Sequence, residues 1–289
     1  MTYPSIKETF YRSSQDKSVV LTVPHGADAK DFFEFFPEIK ADPELQKVWP
    51  IFETYLAIEQ DIGASELAHA VAYELLTRGV TARVVELNYP RGIVDGGRMR
   101  DHCLRGCLPA QLSSSLHEAL LRVHDTTLTF MDRLYESVKG EVFLLDVHTM
   151  ASYCPVDERG KKSTFPISFP RLQNYVEQYL NASSHAYQRK IDLICADESG
   201  RKLADPRLLS AISQSLDDKG YVCLENEPYH AAPIYLSYQH MQKLPGLSID
   251  IPKYLIASGE ALDELQIDAL KAKRLAKTLA LGIIAAFEG

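Results

Sequence analysis

Short β-branched or aliphatic runs, mostly continuous rather than alternating, recur along the chain at residues 19–23, 83–87, 142–147, 191–195, 221–225 and 247–251. Runs that do not alternate with polar residues predict strands covered on both faces. Between them, apolar residues fall at helical spacing. Ile58, Ile62, Leu67, Val71 and Leu75 mark one helix that ends near Gly79. Leu112, Leu116, Leu120, Val123, Leu128, Met131 and Leu134 mark a second, and residues 206–219 a third, with Asp205 as N-cap and Gly220 as the stop. The last covers 261–287 and turns Lys271, Lys273, Arg274 and Lys277 to solvent. Strands alternating with helices predict an α/β fold: three layers, α/β/α, around a mixed, mostly parallel central sheet. With no repeat and no low-complexity linker, residues 1–289 are expected to form a single domain. In such sheets ligands gather at the carboxyl ends of the strands, so chemistry is sought there.

Composition narrows the classes. The 46% hydrophobic content is that of an ordinary globular enzyme, and the net charge of -8 argues against nucleic acid or an anionic membrane as partner. Residues 1–17 hold no apolar signal segment, and no stretch approaches the length of a membrane-spanning helix. Cys103, Cys107, Cys154, Cys195 and Cys223 are odd in number and scattered, which points to a reducing, cytoplasmic setting. His102, Cys103 and Cys107 lack a second pair at finger-like spacing and read as ordinary thiols beside a histidine.

Two strand ends carry a histidine in the same way. Residues 19–23 run into Pro24-His25-Gly26, and residues 142–145 into Asp146-Val147-His148-Thr149. Paired imidazoles at one sheet edge suggest a shared zinc, which in a catalytic site takes three protein ligands and leaves a fourth position to water. Asp146, two residues before His148, shares its strand face and can orient the imidazole. The third ligand is expected to be a carboxylate: Asp61, with Asp28 and Glu59 as rivals. The glycine-rich stretch 88–98 contributes Arg91, Asp95 and Arg98. An arginine fork suits a substrate carboxylate or a developing oxyanion, and Asp95 can hold one guanidinium in place. Arg100, Asp101 and Arg105 read as surface charge. Later, Asn226 offers amide contacts to a substrate, while Asp250 or Glu225 could serve as general base. His230 and His240 read as loop residues.

Taken together, Val23-Pro24-His25-Gly26, Asp61-Ile62-Gly63-Ala64, Arg91-x-x-x-Asp95-x-x-Arg98, Asp146-Val147-His148-Thr149 and Asn226-x-Pro228-Tyr229 resemble the N-formylglutamate amidohydrolase family, akin to zinc carboxypeptidases and aspartoacylase. The resemblance implies a phosphorylase/hydrolase-like α/β fold with zinc on His25, Asp61 and His148. It also implies cleavage of the amide in an acidic N-acyl amino acid such as N-formylglutamate. Arg91 and Arg98 would then meet the substrate, Asn226 would bind it, and Asp250 would assist the water. A carboxypeptidase-like action on a short peptide or cell-wall fragment, or a non-catalytic binding protein on the same fold, are the alternatives. The chain departs from the family pattern near the expected substrate. Gly97 replaces the usual Asn, Ala231 and Ala232 a Gly pair, Asp250 a Glu, and Thr149 a Ser.

Overall fold

The structure, a computed structural model, describes residues 3–14, 16–154, 167–181, 187–259, 262 and 264–289. Seven strands form the central sheet: β1 (Ile6–Tyr11), β2 (Lys17–Val23), β3 (Thr81–Leu87), β4 (Glu141–Met150), β5 (Ile191–Ile194), β6 (Cys223–Glu225) and β7 (Gly246–Pro252). Their order is β1-β3-β2-β4-β7-β5-β6. The pairs β3/β2, β2/β4, β4/β7 and β5/β6 are parallel, while β1/β3 and β7/β5 are antiparallel. Seven helices matter for the site: α1 (Trp49–Glu59), α2 (Ala64–Leu76), α3 (Ser114–Ser137), α4 (Leu172–Asn181), α5 (Pro206–Asp217), α6 (Leu236–Lys243) and α7 (Ala269–Glu288).

The apolar runs form strands because alternate residues feed two separate cores. Val19, Leu21, Val23, Phe143, Leu145 and Val147 pack with α2, α5 and α7, and the α2 stripe of Leu67, Val71 and Leu75 is fully buried among them. Val20, Leu144, Val85 and Leu87 face the opposite way, toward Tyr55 of α1, Leu120 of α3 and Tyr175 of α4. That is the expected three-layer mixed sheet. Asp205 caps α5 by accepting from the Arg207 and Leu208 amides.

Three expectations change. β1 has no counterpart among the apolar runs. The helix traced from Ile58 to Leu75 is two helices, α1 and α2, separated at residues 60–63. The final helix begins at Ala269 behind an Asp268 cap rather than at 261, a residue outside those described. The break at 60–63 has a local cause. Gly63 adopts φ +88°, and a Cβ there would lie 2.5 Å from Ile256 Cδ1 and 2.7 Å from Ile267 Cδ1. The chain therefore turns sharply just after Asp61 and sets that carboxylate against the sheet edge.

The start of α2 is pinned from β3. Glu86 is 7% exposed and accepts from His69 Nε2 at 3.1 Å, from Ser65 Oγ and from Lys7 Nζ at 2.9 Å. Burial raises its pKa, but the contacts from His69, Ser65 and Lys7 outweigh it and hold the carboxyl down at about 2. A folded-state pKa below the unfolded one gives stabilisation that is present above the unfolded value and lost as pH falls toward the folded one. Glu86→Gln is thus expected to lower the melting temperature at neutral pH, with the difference from wild type shrinking as pH falls from about 4.5 toward 2. A difference that stays constant across that range would show that the charge is not its source.

No helix among the described residues is long and apolar enough to cross a membrane, and none of the five cysteines forms a disulfide.

Candidate metal centre

The carboxyl ends of β2 and β4 lie side by side, so His25 and His148 meet although 123 positions separate them in the chain. Asp61 joins them because its amide donates to the His25 carbonyl at 2.9 Å. His25 Nδ1, His148 Nδ1 and Asp61 Oδ2 form a triangle with edges of 3.2, 3.1 and 3.4 Å. Among the described residues these three make the one cluster of acidic, histidine or cysteine side chains close enough to share a cation.

The second nitrogen of each ring explains what the triangle is for. His148 Nε2 lies 3.0 Å from Asp146 Oδ2, and His25 Nε2 2.9 Å from Asp95 Oδ1. An ionised carboxylate only accepts, so each Nε2 carries the proton. The Gly97 amide, 3.1 Å from both His25 Nε2 and Asp95 Oδ1, gives its hydrogen to Asp95. With Nε2–H committed to a carboxylate, each ring when neutral presents a lone pair at Nδ1. Two ring nitrogens and a carboxylate oxygen then converge on one point, which calls for positive charge between them. Burial works against a charged His148, but Asp146 and Asp61 push its pKa well up. The point is filled either by a proton on His148 Nδ1 or by a metal that displaces it. Tetrahedral zinc with ligands at about 2.0–2.1 Å needs donor atoms about 3.3–3.4 Å apart, and the observed edges fit.

The carboxylates behind the rings are themselves fixed. Asp146 accepts from Thr22 Oγ1 at 2.6 Å and Ser248 Oγ at 3.3 Å. Burial works against its ionisation, yet His148, His240 and Thr22 hold its carboxyl well below the usual range. Asp95, 1% exposed, is likewise held low despite burial, by His25, Arg91 and Arg105. Asp95 also takes Arg98 Nε at 2.9 Å, so one carboxylate orients both a ring and the guanidinium expected from sequence. Sequence reasoning missed its contact with His25.

Gly97 is part of the same arrangement. A Cβ at that position would lie 2.7 Å from His25 Nε2 and 2.8 Å from Cε1. The ring is held by Asp95 on one side and Asp61 on the other and has little room to give way. Gly97→Ala is expected to weaken zinc binding about 10–100-fold, the scale of losses when the support of a ligand is disturbed. Competition against chelators of graded affinity measures this; an unchanged affinity would show that the loop yields instead of the ring.

Asp250 stands opposite His148 in the β4/β7 register, and its Oδ1 has no hydrogen-bond partner. Burial, then the Asp61 charge, pushes its carboxyl up to about 6. Together with His25, Arg91, Arg98 and His148 it lines a cleft of about 370 Å³. Arg91 lies 3.5 Å from Asp61 Oδ1, 3.6 Å from Glu59 and 3.8 Å from Asp95.

Other candidates are placed elsewhere. Asp28 accepts from the Lys30 amide on an exposed loop, and Glu59 is buried against Arg105 and Tyr175, so neither joins the triangle. Glu225 pairs with Lys202 at 2.6 Å, half exposed and outside the cleft lining. Asn226 is not brought to the cleft. With φ 56° it folds its side chain back onto β5, where Oδ1 accepts from the Cys195 and Ala196 amides and Nδ2 faces Cys195 Sγ. Its neighbours Pro228 and Tyr229 line the cleft instead.

Arg105 corrects the surface reading. It is a mostly buried cation that bridges Glu59 at 3.1 Å and Asp95 at 3.3 Å. His240 is not a loop residue either: it is buried on α6 with Nδ1 2.6 Å from the Tyr135 hydroxyl. His230 is exposed at the cleft and pairs with Glu198 at 3.0 Å. Arg189, unremarked in the sequence, is 3% exposed and donates from Nη1 to the Tyr229 hydroxyl at 2.9 Å.

No family model and no curated protein matches the chain. Among solved structures it is similar to an N-formylglutamate amidohydrolase from Ralstonia eutropha, at 17% identity and a TM-score of 0.59, with 97% of each chain covered. A gene product from Agrobacterium tumefaciens is similar at 13% identity and a TM-score of 0.58, covering 98% of this chain and 95% of that one. Identities this low establish a shared fold, over nearly the whole length of both chains.

Proposed function

We propose that this chain is a zinc-dependent hydrolase that cleaves the amide bond of a small N-acyl amino acid or short peptide bearing a free carboxylate. The observation that carries the reading is the triangle of His25, Asp61 and His148, each imidazole backed by its own carboxylate, beside an unpartnered Asp250 oxygen in the same cleft. The shared fold with an N-formylglutamate amidohydrolase agrees with amide chemistry.

Bound by these three residues, zinc would supply Lewis acidity toward an acyl oxygen and bring the pKa of a water toward about 7. The protein's own groups supply the rest. Asp95 and Asp146 keep Nε2 protonated and Nδ1 free on the two rings, holding both in ligand geometry. Asp250 Oδ1 takes the proton from the attacking water and delivers it to the departing amine nitrogen. Arg91, beside Asp61 at the cleft wall, stabilises the negative charge that develops on the acyl oxygen. Arg98, oriented by Asp95, binds the substrate carboxylate as a planar fork.

Elemental analysis of zinc-reconstituted protein, run alongside amine release from a panel of N-acyl amino acids and dipeptides, tests this reading. One zinc per chain is expected, with amine release abolished by chelator and restored by zinc. If added zinc neither binds nor raises the melting temperature, the metal assignment is wrong. Zinc uptake without turnover of any amide in the panel would instead make the chain a metal-containing binding protein.

A further inference from the structure

The lining of the cleft is mixed in chemistry. It combines the polar groups His25, His148, Arg91, Arg98 and Asp250 with an apolar wall of Ile194, Pro228, Ala232 and Ile234 and the rings of Tyr229 and Tyr235. Ile234 and Tyr235 run alongside Arg98 in a β-bridge. Behind that wall Ile194 packs with Ala231, Met241 and Tyr229 in a small apolar cluster of its own, so the surface is fixed rather than loosely laid down. At the rim the polar pair is Glu198 and His230, and the Glu198 carboxylate is 77% exposed.

The cations of the site are unequally available. Arg98 donates Nε to Asp95 and lies over the Tyr235 ring, 5.6 Å from its centroid, while its two Nη groups make no hydrogen bond with any described residue. Arg91 is surrounded by Glu59, Asp61 and Asp95. Arg105 is engaged by Glu59 and Asp95, and Arg189 is sealed beneath Tyr229. Among the described residues, therefore, Arg98 is the guanidinium at the cleft whose fork is free, and one fork holds one carboxylate. A second carboxylate on the substrate would find no second free guanidinium in the lining, only neutral hydroxyls such as those of Ser237 and Tyr235 and a His230 already paired with Glu198, a costly placement for a charge.

We infer that the substrate carries a single carboxylate, held by Arg98, and an apolar branched or aromatic group packed on the wall formed by Ile194, Pro228, Ala232 and Ile234. This rests on the amide-hydrolase reading for the position of the substrate, and it replaces the acidic side chain expected from sequence with an apolar one.

The test uses inert ligands, so that binding is read apart from turnover. Ketone isosteres of N-acetyl-phenylalanine and N-acetyl-glutamate, with CH₂ in place of the amide N–H, are titrated calorimetrically into the zinc-loaded protein. The aromatic isostere is expected to bind about 10–100-fold more tightly, the factor that burial of one such side chain provides. Arg98→Ala should weaken both ligands. Ala232→Trp, which fills the wall, should weaken the aromatic ligand and leave zinc content unchanged. Equal affinities, preference for the glutamate isostere, or no binding of either overturns the inference. Amine release from N-acetyl-phenylalanine is scored separately. Selective binding without release removes the hydrolase reading and leaves the selectivity standing; release that favours N-acetyl-glutamate does the reverse.

Discussion

His148→Ala is expected to reduce zinc content from one per chain to a trace and to abolish amide hydrolysis. The ring supplies one corner of the donor triangle, and a site with one histidine and one carboxylate cannot hold zinc against ordinary competition. The substitution also removes a partner from Asp146, which retains Thr22 and Ser248, so the fold is expected to survive. Melting curves with and without chelator separate the two effects. A metal that binds the folded chain alone raises its stability by mass action. Wild type should melt well above the variant in zinc, and the two should draw together when chelator strips the metal. A difference that persists in chelator would mean His148 acts through packing. Asp146→Asn should fall between them, retaining zinc with about 10–100-fold lower affinity, since it disturbs the support of a ligand and not the ligand itself.

What the sequence showed and what it hid follow the same physical line. Strands that bury both faces are mostly apolar, so β2, β4 and β7 stand out. β1 does not, because at the sheet edge Lys7 and Phe10 are exposed and the rest is half covered. The ligands are legible from local signals: His25 follows directly on β2, His148 lies near the carboxyl end of β4, and Asp61 shortly precedes α2. The groups that hold them are legible only when close in sequence. Asp146 sits two residues from His148 on one strand face, and the spacing reveals it. Asp95 reaches His25 across 70 positions, and Arg105 reaches Glu59 across 46; no periodicity records such pairs. Periodicity also misleads at residues 60–63, where the apolar spacing from Ile58 to Leu75 continues straight through a turn that depends on the left-handed Gly63. Asn226 points to a substrate by its chemistry, but an amide beside a strand end is equally suited to clamp backbone, and here it does. The character of the cleft is least legible, since Ile194, Ala232 and Tyr235 come together with Arg91 and Arg98 from separate segments.

Asp250→Asn is expected to lower kcat by about 10²–10⁴, the usual contribution of a general base, with zinc content and KM little changed. Asparagine keeps the size and the β7 position while losing the ability to take a proton, so a loss in kcat alone identifies proton transfer. The structure narrows the alternatives. Glu225 is bound to Lys202 away from the cleft. Asp192 is paired with Asp250 in the β5/β7 register, but its oxygens accept the Glu227 and Tyr229 amides at 2.8 Å each, which commits it to holding the loop that carries Tyr229. Asp250 keeps one oxygen without a partner, and an unpaired buried carboxylate oxygen is costly to maintain unless it has work at the site. Its side chain is one methylene shorter than the glutamate of the resembled family, so Asp250→Glu is the informative companion. Activity in the glutamate variant well above that of the asparagine variant would show that a carboxylate, and not this particular reach, is what the reaction needs. If Asp250→Asn loses less than about tenfold in kcat, well short of what a general base contributes, the base is another group and the assignment falls.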